Sequence, residues 1–523
     1  MSSIGATERP PVRGGEAPAA GWRVWLGFSA MCVGMFMAIL DIQIVATSLP
    51  AIREALDISA DRMSWIQTSY LIAEVIAIPM TGLLTRALSL RGLFLIALSI
   101  FTLASIGCAM AESLPALIAA RIVQGLAGGC LIPLVFSAVF LLFPERHQAT
   151  ATTIAGVLAV LAPTLGPTVG GYITETYSWP WLFLVNVAPG ILACGLGYVL
   201  LPRAAGERGL LKTLDWAALA ALAVALASLE ILLKEAPERG WLSGLALALL
   251  ALFVLPGLLF IGRSLRRAQP LANLRLFRQR DFAIGSAASF VLGIGLFGSV
   301  YLMPVFLGLV RDHGALTIGL IMLVTGCAQL LTAPITVRLE RRCDARLLAA
   351  LGFACFAVGL GLSAFQTRET DFDEMFWPQA IRGAAIMFCL IPPTWIALSR
   401  LAPEAVPDGS ALFNLMRNLG GAIGIGLIDT VIWNRAPAHA ERLGEQVLAR
   451  DAAAADFVGI DLAMVPPDPG PEMLAMVAPL FEKAGLVMAI NEAWGLVAIL
   501  TLSVLLVLPL ARAAPKPGTS PKP

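Results

Sequence analysis

A chain of 523 residues that is 58% hydrophobic and only 14% charged departs sharply from a soluble domain, where roughly a quarter of residues carry charge. No soluble fold hides that much apolar surface. The 36 Lys and Arg nearly balance the 35 Asp and Glu, so no global field points to nucleic acid or to an acidic partner.

The first residues, 1–22, are rich in Pro, Gly and Ala and are expected to form a disordered cytoplasmic tail. The apolar stretch that follows carries Asp41 and lacks a small-residue cleavage site, which predicts an uncleaved first span rather than a signal peptide. Apolar blocks of about twenty residues match a hydrocarbon core about 30 Å thick at 1.5 Å per residue. They predict fourteen spans, at 23–49, 64–85, 92–111, 114–143, 149–174, 181–201, 214–233, 241–262, 282–309, 315–337, 347–366, 375–399, 409–433 and 488–511. A second Pro-rich stretch, 512–523, reads as another disordered cytoplasmic tail.

Basic residues set the expected orientation. One connection alone holds Arg263, Arg266, Arg267, Arg275, Arg278 and Arg280, while the short connections on the opposite side hold Arg53, Arg62, Lys234, Arg239, Arg311 and Arg368 between them. Both termini are therefore expected in the cytoplasm, with 434–487 as a long outer loop. A weak repeat supports two bundles: at an offset of 255, Pro79, Thr81, Leu84, Arg86 and Arg91 match Pro334, Thr336, Leu339, Arg341 and Arg346. The expected units are an N-terminal six-helix bundle (23–202), a linker with two extra helices (203–280) and a C-terminal six-helix bundle (281–511). Paired bundles with a site between them are the usual plan of a secondary transporter.

Ionisable groups inside spans are costly, at least about 2.5 kcal/mol each on insertion scales, so each is a functional candidate. Asp41 and Arg121 fall at similar depth from the outer ends of the first and fourth spans. There they can pair, either as a proton-coupling couple or as a static buried pair that fixes register. Glu74 stands alone mid-span and suits proton coupling. Arg382, Arg417 and Asp429 are second-half candidates, with Asp429 close to an outer end, and Glu230 is expected near a span end without a special role. Gly166, Pro167, Gly170 and Gly171 predict a kinked, tightly packed segment. Met31, Met35, Phe36, Phe136, Phe297 and Trp395 are candidates for lining an apolar pocket. Eight cysteines lack paired spacing, the three histidines lie in connections and no phosphate-binding loop occurs. Catalytic residues, a metal and a cofactor are therefore not expected.

These segments resemble the major facilitator superfamily, and within it the fourteen-span drug:proton antiporters of the EmrB type. Leu40-Asp41-Ile42-Gln43-Ile44 through Pro50 resembles the family's first-span motif, Arg121-Ile122-Val123-Gln124-Gly125 its fourth-span motif, and Gly166-Pro167 with Gly170-Gly171 the antiporter signature of span five. In the loop after span two the common motif has an acid and then a glycine, where this chain has Arg86 and Ser89. The resemblance implies an all-α membrane protein of major facilitator fold, with two six-helix bundles plus two inserted helices. It also implies a bacterial inner-membrane exporter of small amphipathic or aromatic compounds driven by protons, with Asp41 as the first-span motif acid and Arg121 in proton transfer; with the lone mid-span acid Glu74, these are the expected proton-coupling residues. Such exporters work with a periplasmic adaptor (a membrane fusion protein) and an outer-membrane channel. A dedicated exporter of one endogenous metabolite, such as a siderophore or an organic acid, is the alternative on the same scaffold. A non-transporting membrane receptor would predict dispensable buried acids.

Overall fold

The computed structural model describes residues 21–58, 63, 65–213, 215–267, 270–340, 342–464, 466 and 470–512. The tails at 1–20 and 513–523, Arg62 and Arg341 lie outside the described residues. With no water in the hydrocarbon layer, backbone polar groups must be satisfied within the segment, which makes helix the default for each apolar block. Thirteen helices are long and apolar enough to cross a membrane, and a fourteenth, bent by 45° after Pro163, qualifies when taken whole.

In chain order they are α1 (Trp22–Ala55), α2 (Trp65–Leu88, with a 3-10 turn at Ile78–Met80), α3 (Leu90–Ala109), α4 (Leu114–Leu142), α5 (Glu145–Thr176) and α6 (Trp181–Leu200). The inserted pair is α7 (Trp216–Arg239) and α8 (Gly244–Arg266). The second series is α9 (Arg280–Leu309), α10 (Ala315–Glu340), α11 (Ala345–Leu362), α12 (Phe372–Leu398), α13 (Val406–Leu448), the short α14 (Ala452–Val458) and α15 (Pro471–Leu502).

Helices α1–α6 pack into one bundle, and α9–α13 with α15 into a second. Each has its own apolar core, the first around Phe28, Phe94 and Phe136 and the second around Phe306, Phe353 and Trp494. The repeat is visible in how these cores close. A Cβ added at Gly125 of α4 would overlap the carbonyl oxygen of Tyr70 on α2, and one at Gly383 of α12 would overlap that of Thr325 on α10. Tyr70 and Thr325 are related by the same offset of 255. The second and fourth helices of the two bundles therefore cross at equivalent points, where only a side-chain-free residue admits the contact.

The bundles meet at the end that carries the termini. Arg86 of α2 pairs with Asp408 of α13 at 2.5 Å, and Ser410 Oγ donates to the Pro133 carbonyl at 2.7 Å. An apolar cluster shared by Ile78, Leu83, Leu222, Phe282 and Phe413 surrounds this junction. The acid that the loop after span two lacks is thus supplied across the interface by Asp408. At the place of the family's glycine, Ser89 takes φ 67°, a region that favours glycine, while its hydroxyl accepts from the Gly92 N–H at 3.3 Å and caps α3.

The inserted helices are not a detached tether. Helix α7 packs on α2 and α13 at the seam between the bundles, while α8 lies outside it and only 17% of its span is buried. Asp215 fixes the start of α7: it accepts from the Ala218 N–H at 3.1 Å, from Arg263 at 2.8 Å and from Arg267 at 3.0 Å. The Arg263 hydrogen bond holds the Asp215 carboxyl below the usual carboxylate range.

The predicted outer loop, 434–487, is largely helical. Helix α13 runs for 43 residues, or about 65 Å, roughly twice the hydrocarbon thickness. Its far portion, α14 and the start of α15 enclose a small core of Leu443, Val447, Val458 and Ala484 beyond the bundles.

Two stability predictions follow from local geometry. Ser89→Gly should raise stability by roughly 1 kcal/mol, because relief of a strained φ outweighs the lost cap and the added chain entropy; a lower melting temperature of the purified protein would contradict this. Asp215→Asn should lower the melting temperature at neutral pH. A depressed carboxylate stabilises the fold above the unfolded pKa of about 3.9 and loses that contribution as pH falls through its lowered value. The gap between wild type and variant should therefore close as pH drops below about 4.

Candidate functional site

A cavity of about 280 Å³ lies between the bundles, walled by α1, α2, α4, α5, α7, α9 and α13. That is near the lower end of small-molecule pockets, about 300–1,000 Å³. Its wall is mostly apolar, with Ile39, Leu71, Val75, Ile132 and Phe297 among the contributors, and it carries five charged residues: Glu74, Glu230, Lys234, Arg417 and Asp429. Toward the termini the junction at Arg86, Asp408 and Ser410 closes it.

Asp41 and Arg121 do meet, but in a closed network beside the cavity rather than on its wall. Both are fully buried. An Arg121 Nη donates to Asp41 and also to Gln124 Oε1 at 2.7 Å, while its Nε donates to the Ile66 carbonyl at 3.2 Å. Asp41 Oδ1 accepts from Asn186 Nδ2 at 2.7 Å and from Gln124 Nε2 at 3.0 Å, and Gln124 reaches Ser105 at 2.8 Å. The guanidinium lies 4.3 Å from the Tyr70 ring centre, a favourable cation–π distance, and the Tyr70 hydroxyl donates to the Ala38 carbonyl at 3.1 Å. Asp41 is thus enclosed by Arg121 and Gln124 of α4 and Asn186 of α6 and lies off the cavity wall.

Glu74 does reach the cavity. It lies one turn beyond Tyr70 on α2, so the buried network and the cavity share that helix. Among the described residues its carboxylate has no hydrogen bond or ion pair.

The second-half candidates separate. Arg417 and Asp429 line the cavity; Arg417 is held by Asn414 and lies 5.4 Å from the Phe136 ring, and the Tyr301 hydroxyl donates to Asp429 at 2.6 Å. Asp429 is thus a wall residue rather than one that only meets the outer end. Arg382 is buried within the second bundle, away from the cavity, against Trp494 at 5.4 Å and Thr325 at 3.3 Å. Glu230, expected at a span end, sits on the cavity wall because α7 continues to Arg239.

The run from Gly166 to Gly171 shapes one side. Helix α5 bends after Pro163, which itself lines the cavity, and a Cβ at Gly166 would overlap the side chain of Gln43, another wall residue. Pro167, Gly170 and Gly171 are buried, and Ser48 of α1 bonds Thr174 at 2.7 Å one turn beyond Gly170. Of the six apolar pocket candidates only Phe297 lines the cavity; Met31 and Met35 are core, and Trp395 stacks on Phe140 at 6.2 Å. Sequence reasoning did not select Gln124, Asn186, Ser105 or Tyr70, although Gln124 lies inside the Arg121 motif. No group of three or more His, Cys, Asp or Glu among the described residues could hold a metal ion.

Two helical bundles around a central cavity with charged residues on its wall have the architecture of a polytopic secondary transporter. The chain belongs to the major facilitator superfamily, whose sequence profile matches residues 31–425, and its relatives place it in the EmrB-type branch. It is 38% identical to the colistin resistance protein EmrB of Acinetobacter baumannii over 79% of this chain and 81% of that one. It is 31% identical to the multidrug export protein EmrB of Escherichia coli over 83% and 85%. Among solved structures, the human organic anion transporter MFSD10 superposes with a TM-score of 0.59 at 14% identity, covering 94% of this chain and all of that one, a likeness of fold alone.

The network predicts a stability signature. Asp41→Asn leaves the Arg121 guanidinium buried without its anion and should cost about 3–5 kcal/mol. Adding Arg121→Gln should recover part of that loss in melting temperature. Equal stability of wild type and Asp41→Asn would show that the pair carries no charge.

Proposed function

We propose that this protein is a proton-coupled antiporter that exports small amphipathic or aromatic organic compounds across the bacterial inner membrane. The observation that carries the reading is Glu74, an unpaired carboxylate on the wall of a mostly apolar cavity between two bundles. A carboxyl in that position can take a proton from one side and release it to the other as the bundles rock. The buried Asp41–Arg121 network serves as a positioning element: Arg121 holds α2 through the Ile66 carbonyl and the Tyr70 ring, one turn from Glu74. Arg417, which shares the cavity, offers a cation that favours release of the Glu74 proton. The rigid packing around Gly166 and Pro167 keeps α5 against α1 while the bundles move.

In this reading both termini are cytoplasmic. Residues 23–202 and 281–511 are the moving bundles, and 203–280 is the inserted linker. The name of the Escherichia coli relative, a multidrug export protein, supports efflux of several compounds. The helical extension built from α13, α14 and α15 then lies outside the membrane, where a periplasmic adaptor leading to an outer-membrane channel can engage it.

The test is efflux of a panel of dyes and aromatic antibiotics in energised everted vesicles. Wild type should show uncoupler-sensitive transport, and Glu74→Gln should reduce it at least tenfold at equal expression and unchanged melting temperature. Undiminished pH-driven transport by Glu74→Gln would remove Glu74 from the coupling role.

A further inference from the structure

The inserted helix pair contributes to the transport site itself. Helix α7 supplies Glu230, Leu233 and Lys234 to the cavity wall and is anchored along its length. The Asp215 clamp fixes its start, and Leu233 lies against Gly426 of α13. Past its end, Trp241 Nε1 donates to Thr430 Oγ1 of α13 at 3.0 Å. A side chain on so well-seated a helix is a fixed part of the wall.

The charges on that wall do not balance. Of the two cations, Arg417 is held by Asn414 and the Phe136 ring, and Lys234 lies 4.7 Å from the Trp65 ring centre. Of the three acids, Asp429 accepts from the Tyr301 hydroxyl at 2.6 Å. The carboxylates of Glu74 and Glu230 have no hydrogen bond or ion pair among the described residues. The rest of the wall is largely apolar and includes the Phe297 ring. With three acids against two cations, and with Glu74 and Glu230 lacking a bonded partner, the wall carries an excess of negative charge that attracts a cation whose bulk is apolar, since the charge is paired and the remaining surface is buried.

We infer that Glu230 of the inserted helix is a substrate-recognising residue that selects amphipathic organic cations. The inference rests on the efflux reading above, in which Glu74 handles the proton. Glu230 then confers charge preference, and the inserted pair is the device that brings this second carboxylate to a cavity the two bundles would otherwise wall alone.

Binding tests the selection separately from transport. Purified full-length protein is titrated with tetraphenylphosphonium and with tetraphenylborate, ions of one shape and opposite charge. Wild type should bind the phosphonium at least tenfold more tightly than the borate. Glu230→Gln should weaken phosphonium binding at least tenfold and leave the borate within about twofold, while Glu230→Asp should retain most of the preference. Loss of both ligands in parallel, or of neither, overturns the inference, as does a wild type without charge preference. Should Glu230→Gln fold poorly, a matching loss of preference in Glu230→Ala at a normal melting temperature supports the inference and retention of the preference overturns it. Absence of uncoupler-sensitive transport of any compound, with the phosphonium preference intact, would instead sink the efflux reading.

Discussion

An ionised side chain inside a hydrocarbon layer must be neutralised by the protein or must face an enclosed space, because the lipid offers it nothing. That constraint sorts the charges of this chain into two kinds. Asp41 and Arg121 are bonded by Gln124, Asn186 and the Ile66 carbonyl, with the Tyr70 ring against the guanidinium and Ser105 behind Gln124, so they tie five helices, α1, α2, α3, α4 and α6, into one arrangement. Glu74 and Glu230 are not saturated, and both lie on the cavity wall. Groups of the first kind make a bundle rigid, and groups of the second give the rigid bundles something to exchange.

Rigidity within each half is reinforced by backbone contact. Helices α2 and α4, and their counterparts α10 and α12, touch where Gly125 and Gly383 leave no side chain between them. Close approach of this kind supplies the van der Waals contact on which helix association in lipid depends, there being no hydrophobic drive between helices in an apolar solvent. Between the halves the contacts at the end carrying the termini differ in kind: one ion pair, one hydrogen bond and an apolar cluster near the surface. Such contacts can part without dismantling either core.

Much of this was legible in the sequence because the bilayer imposes length. Each apolar block became a helix, and the equal depths of Asp41 and Arg121 correctly implied that they meet. The failures share a cause: a helix does not end where its hydropathy does. The apolar run of α7 breaks at Lys234-Glu235, which placed Glu230 near a span end, yet the helix continues to Arg239 and carries Glu230 well inside. Lys234, one turn beyond Glu230, lines the cavity with its ammonium 4.7 Å from the Trp65 ring centre. Likewise the apolar run of α13 ends near Asn434, yet the helix continues to Leu448 through polar residues such as Glu441, Arg442 and Glu445. The tertiary partners of Arg121 were beyond reach for another reason: Asn186 is separated from Asp41 by 145 positions, and no local pattern encodes that contact.

The placement of the inserted pair bears on how access can alternate. Helix α7 contacts α2 in one bundle and α13 in the other, the same two helices that Arg86 and Asp408 join at the end carrying the termini. A rocking motion that separates α2 from α13 there must either slide both along α7 or carry α7 with one of them. It is tied to α13 through Leu233 at Gly426 and Trp241 at Thr430, and to α2 through Lys234 over the Trp65 ring and an apolar cluster of Leu222 with Ile78 and Leu83. In the proposed cycle, α7 moves with the second bundle, to which Leu233 and Trp241 hold it, and the distance between Glu230 and Glu74, and with it the affinity of the cavity for a cation, changes as the bundles rock.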